Sequence, residues 1–148
     1  MTIARTRRRG RELALQALYQ MDVAGGEARG ASELWRHFDE ADRSAAPEDA
    51  REFANELVAG VLGSRERIDD LITTAAEHWR LERLSQVDRN ILRIGAYELL
   101  CRLDVPTSVA INEAIEIAKR FGSDESATFV NGVLDHIAGE VGAKEGRP

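Results

Sequence analysis

Cysteine is almost missing from this sequence. Cys101 is the only one, which excludes an internal disulfide and a cysteine-rich metal site and points to a reducing compartment, the cytoplasm. There are only three prolines, and aromatic residues make up 5% of the chain. Alanine, leucine, glutamate and arginine fill the remainder, and all four are good helix formers. No apolar stretch approaches the ~18 residues that cross a bilayer, so no membrane association is expected. The arginine-rich start followed by LALQAL imitates a secretory leader. Gln16 and Gln20 interrupt its apolar part, however, and no small-residue cleavage site follows.

The signatures of catalysis are also missing. His37, His78 and His136 stand at no metal-ligand spacing, and no HExxH or paired CxxC occurs. There is no glycine-rich phosphate loop, no dinucleotide fingerprint and no GxSxG elbow. Cys101, near the end of an apolar helical pattern, reads as a small core residue rather than a nucleophile. The sequence therefore names no catalytic residue, no metal ligand and no cofactor.

What is present is an uneven charge distribution. The chain of 148 residues carries a formal −6. Arg5, Arg7, Arg8, Arg9 and Arg11 nevertheless put five positive charges, and no acid, in the first eleven residues. The rest of the chain is therefore at −11. A basic arm over residues 1–11 suits a polyanion, and an acidic body suits a basic protein while repelling stray nucleic acid.

The length fits one domain over residues 1–148, which hides roughly 68–70% of its unfolded surface without staples. Helical periodicity runs through it. A first helix from an N-cap at Thr6 carries Leu13, Ala14, Ala17, Leu18 and Met21 on one face. Gly25, Gly26 and Gly30 mark a loop, and a short helix over residues 32–38 has Leu34, Trp35 and Phe38 on its apolar side. Residues 39–49 read as a connection, with Pro47 well placed at a helix start. The next helices cover about 48–62, with Phe53, Leu57, Val58 and Val61 inward, and about 65–78, with Ile68, Leu71, Ile72 and Ala75 inward.

Ser85 and Asp88 then form a capping-box-like start for a helix to about Arg102. That helix is apolar over most of its circumference, as a central buried helix would be: Val87, Ile91, Leu92, Ile94, Leu99 and Leu100. Its one polar stripe, Gln86, Arg89, Asn90, Arg93 and Tyr97, is expected to touch water. After Pro106, a helix with Ile111, Ala114, Ile115, Ala118 and Phe121 inward ends at Gly122. Ser123 then caps a last helix that buries Val130, Val133, Leu134, Ile137 and Val141. Residues 142–148 form a loose tail. No strand pattern competes, so the expected fold is all-α, a bundle of about seven helices joined by short loops.

The arginine run is the strongest binding candidate. Tyr19 follows Arg8 by eleven residues, which returns it to within about 20° of the same face. Guanidiniums and an exposed ring on one face suit single-stranded RNA, through phosphate pairing and base stacking. Phe129 lies about 100° away from the stripe that begins at Val130, so part of its ring is expected at the surface. Glu82 and Asp88 flank the start of the central helix and suit a basic partner. A rival reading is a purely protein-binding scaffold whose arginines only confer solubility.

Three segments in order, RTRRRGRELALQALYQ, LERLSQVDRNILRIGAYELL and DVPTSVAINEAIEIAKRFGSDESATFVNGVLD, closely resemble the NusB family of bacterial transcription antitermination factors. The stretch FANELVAG at 53–60 also fits, and residues 22–50 show no resemblance. The resemblance implies two packed three-helix subdomains and an arginine-rich motif for boxA RNA. It also implies a partner, NusE, a ribosomal small-subunit protein. Together with other Nus factors, the pair lets RNA polymerase read through terminators, notably in ribosomal RNA operons. Carried over by position, Arg7, Arg8, Arg9 and Arg11 match the arginine motif. Tyr19, Glu82, Asp88, Arg93 and Phe129 match positions used around the NusE and RNA surface.

Two departures stand out. Asp88 replaces an expected glutamate, which shortens the carboxylate's reach. Gly10 lowers helix propensity inside the motif by ~1 kcal/mol relative to alanine. A homodimer is compatible with the same sequence, and self-association would hide the RNA surface. A related domain precedes the catalytic domain of rRNA cytosine methyltransferases, but this sequence leaves no room for a cofactor-binding domain. Four phosphates held by four arginines would give a salt slope of about −3.

Overall fold

Thr2 closes the start of the first helix. Its Oγ1 accepts the Arg5 N–H at 3.2 Å and its carbonyl accepts the Thr6 N–H at 3.0 Å. In the computed structural model, which describes residues 2–23, 46–76 and 84–142, α1 therefore spans Ile3–Val23. The expected cap at Thr6 is one turn too late, and the arginine run lies inside the helix. Ala4 and Arg5 are good helix formers and Thr2 can cap them, so the helix begins upstream of Thr6. The short helix expected at 32–38, Glu82, His37, His78 and residues 143–148 fall outside the described residues.

The chain divides into two units, Met1–Gly63 and Ser64–Pro148. In the first, α1 packs along α2, Glu48–Gly63. The predicted stripe of Leu13, Ala14, Ala17, Leu18 and Met21 is buried, as are Phe53, Leu57, Val58 and Val61 of α2. Glu48 and Asp49 in the first turn of α2 complement its dipole. The glycine at position 10 has a packing reason. A Cβ there would come within 2.8 Å of Phe53 Cδ2 and 2.9 Å of the Ala50 carbonyl oxygen. The two helices meet at this point more closely than any other residue allows. Gly10→Ala is therefore expected to destabilise the protein by about 1–3 kcal/mol, overriding its gain in helix propensity. A lowered melting temperature would bear this out, and a raised one would contradict it.

The second unit holds α3 (Arg65–Ala76), α4 (Gln86–Cys101), α5 (Thr107–Phe121) and α6 (Ser126–Glu140). Among the described residues there are six helices and no strand. The all-α expectation thus holds. Helix α4 packs against α3, α5 and α6, and residues 90–96 are buried on every side. Gly95 permits the approach of α6, because a Cβ would lie 2.7 Å from Leu134 Cδ1. Ile91, Leu92, Ile94, Leu99, Val130, Val133, Leu134 and Ile137 supply the core of this unit.

Several expectations need correction. The polar stripe of α4 faces water only in part: Gln86, Arg89 and Tyr97 are half-buried, whereas Asn90 is fully buried and Arg93 is 3% exposed, because α4 packs against three neighbours. Cys101 is exposed, since it is the last residue of α4, where the helix leaves the core. Phe121 sits at the end of α5 with its ring at the surface under the Arg120 guanidinium, and Ile117 occupies the core instead. Ser123 does not cap α6. The helix starts at Ser126, whose Oγ accepts the Ser123 N–H at 2.9 Å, so the capping-type contact runs backwards along the turn.

Candidate nucleic-acid interface

Helix α1 turns by about 100° per residue, and this sorts the arginines into two sectors. Arg5, Arg8 and Arg9 lie within roughly 100° of one another on one side, and Tyr19 falls in the same sector. Arg5 and Arg8 are exposed, Arg9 is half-buried and Tyr19 is 42% exposed. Arg9 Nη1 is 3.4 Å from Glu12 Oε1, so one acid, itself buried, sits within this cationic sector. With a rise of 1.5 Å per residue, Arg8 and Tyr19 are about 16 Å apart along the axis. They fit successive parts of a strand rather than one nucleotide.

Arg7 and Arg11 point elsewhere. Separated by four residues, they share a face, and both guanidiniums lie over the Phe53 ring of α2, at 5.1 and 5.3 Å from its centroid. Arg11 is 2% exposed and Phe53 6%. Away from water, such a contact is worth about 2 kcal/mol. Phe53 was legible as a core residue, but its place beneath two cations depends on how α1 and α2 pack. Arg51 of α2 is a further cation outside the arginine run. Its buried Nε has no hydrogen-bond partner among the described residues.

A second candidate surface is confined to the Ser64–Pro148 unit. Leu84, Ser85, Asp88, Ser123, Asp124, Glu125, Ser126, Thr128 and Phe129 line an open cleft of about 490 Å³. The start of α4 and the turn from α5 into α6 therefore bring Asp88 and Phe129 together, with acids on both sides and apolar surface from Leu84 and the half-buried Phe129. Ser85 Oγ accepts the Asp88 N–H at 3.0 Å, as a capping box requires. The reciprocal bond is missing, since the Asp88 Oδ1 is buried without a hydrogen-bond partner among the described residues. Aspartate is one methylene too short to reach back to the cap. Asp124, Glu125 and Thr128 were missed from sequence. The signal was there, because Glu125 and Phe129 are four residues apart and so share a helical face.

Arg93 belongs to neither surface. Its Nε donates to Asp69 Oδ1 at 2.8 Å and its Nη2 to Asp69 Oδ2 at 3.0 Å, a bidentate pair joining α4 to α3. Its Nη1 donates to Asn90 Oδ1, whose amide in turn donates to the Gln86 carbonyl. Arg65 Nε, 3.8 Å from Asp69 Oδ2, adds a weaker contact. The arginine therefore holds the central helix in place from within the fold. Among the described residues no three histidine, cysteine or carboxylate side chains gather into a metal site, and no helix is long and apolar enough to cross a membrane.

Known proteins share this arrangement along nearly the whole chain. The NusB family model matches residues 8–139. The transcription antitermination protein NusB of Geobacter sulfurreducens is 52% identical over 132 residues, covering 89% of this chain and 93% of that protein. The solved structure of T. maritima NusB superposes with a TM-score of 0.79 at 44% identity, covering 90% of this chain and 91% of that one. A structure of antitermination factors NusB and NusE in complex with double-stranded RNA matches with a TM-score of 0.78 at 29% identity, covering 92% and 98%. A similarity this high, sustained from the arginine helix to the end of α6, means that the chain belongs to the NusB family.

Proposed function

We propose that this chain is an RNA-binding transcription antitermination factor that works in the cytoplasm as a non-catalytic adapter. The observation that carries this reading is its identity of 52% over 89% of its length to a protein named for that role. The basic end of α1 holds the phosphates of single-stranded boxA RNA, and Tyr19 offers a ring for a base. NusE, a basic ribosomal protein, pairs with the acidic parts of the body. The cleft with Asp88 and Phe129 supports that role, because a charged rim around a partly apolar centre is how a docking surface combines steering with burial. Glu82 and Tyr19 are further candidate contacts for this partner, and Arg93 serves the cleft from inside its own unit by fixing α4. The pair, with other Nus factors, escorts RNA polymerase past terminators, notably in rRNA operons. Neither contact requires covalent chemistry.

Mobility shifts test the reading. Single-stranded boxA-like RNA should be retarded by the chain, and more tightly when NusE is present. No shift, with or without NusE, would leave the protein-binding scaffold as the correct description.

A further inference from the structure

The five arginines of the basic run do not stand in one environment. Three of them, Arg5, Arg8 and Arg9, occupy the sector that also contains Tyr19. Arg7 and Arg11 are stacked over Phe53, and Gly10 between them lies against the Ala50 carbonyl and the Phe53 ring. A guanidinium over a ring has one side covered; Arg11 is 2% exposed in addition, and Arg7 is half-buried. Moving either one to a phosphate would expose the Phe53 ring, which is now 6% exposed, and give up the packing at Gly10.

We infer that the run is divided in function: Arg5, Arg8 and Arg9 take the RNA phosphates, whereas Arg7 and Arg11 are positioning residues that clamp α1 on Phe53 and so decide which face of α1 the RNA meets. The inference rests on the RNA-binding reading given above and refines it. Phe53 becomes a positioning residue as well, although it lies on another helix and carries no charge. The clamp gives the glycine in the basic run a role: the close approach of α1 to α2 at Gly10 accompanies the placement of both guanidiniums over one ring.

The salt dependence of RNA binding separates the two sets, because each phosphate contact on a single strand contributes about 0.7 to the slope of log K against log[salt]. Methionine keeps the length and apolar stem of arginine and still packs on an aromatic ring. Arg5→Met and Arg8→Met are each expected to flatten the slope by about 0.7. Arg7→Met and Arg11→Met should leave the slope unchanged, so that any loss of affinity from the weakened clamp is the same at every salt concentration. Phe53→Leu, with all five charges kept, should weaken binding several-fold at an unchanged slope and an unchanged helical circular-dichroism signal. A role in stability alone would leave the affinity of the folded Phe53→Leu protein where it was, and that result would overturn the clamp. A slope flattened by about 0.7 in Arg7→Met or Arg11→Met would overturn the division, even if the leucine variant did not fold. Absence of salt-dependent binding in the unsubstituted chain would instead remove the RNA-binding reading itself.

Discussion

Replacing Arg5, Arg8 and Arg9 together by alanine is expected to weaken binding of single-stranded RNA by about 50-fold at 0.15 M salt, since three contacts each release about 0.7 counterion. The slope of log K against log[salt] should flatten from about −2 towards zero. Stability should fall far less than binding. Arg5 and Arg8 are exposed, and the half-buried Arg9 gives up a 3.4 Å contact with the buried Glu12. Fluorescence anisotropy with labelled RNA and a parallel thermal melt check both halves. A loss of helical signal equal to the loss of binding would assign these arginines to the fold instead. Counting only the outward sector also revises the slope of about −3 that four arginines would give.

Removing one carboxylate should have the largest effect on stability. Asp69→Ala leaves the Arg93 guanidinium buried at 3% exposure without its bidentate acceptor. Breaking such a pair from one side costs about 3–5 kcal/mol. The Asn90 amide oxygen still accepts from Nη1, which keeps the effect from exceeding that range. Replacing both partners, Asp69→Ala with Arg93→Met, removes the stranded charge and should recover part of the loss. Urea unfolding measures all three changes, with the midpoint falling in the single variant and rising again in the double. A single variant as stable as the starting protein would mean that the pair contributes nothing to holding α4 against α3.

How far the sequence foretold this molecule can be judged residue by residue. Apolar periodicity located the helices and nearly all of their inward faces, because burial of one stripe is a local property of spacing. Leu13 to Met21, Phe53 to Val61 and Val130 to Ile137 all lie where their spacing put them. Misreadings cluster where the environment comes from another helix. Arg93 and Asn90 looked like a wet stripe, and only the pairing with Asp69 across to α3 accounts for their burial. Arg7 and Arg11 read as part of one basic run, and their contact with a ring more than forty residues away was not legible. Helix ends were the other weak point. Thr2 served as the cap in place of Thr6, and Cys101 and Phe121, read as core, are helix-terminal residues at the surface. Asp88 and Phe129 were singled out separately, and the fold sets them in one cleft with acids that spacing alone would have added.

The central claim is that positive side chains at the start of α1 grip an RNA strand mainly through its phosphates. The direct measurement is the affinity of the chain, with NusE bound, for boxA-like single-stranded RNA as salt is raised through the physiological range. A straight log–log plot with a slope of about −2 is the expected result. A slope indistinguishable from zero, with binding intact, would contradict it.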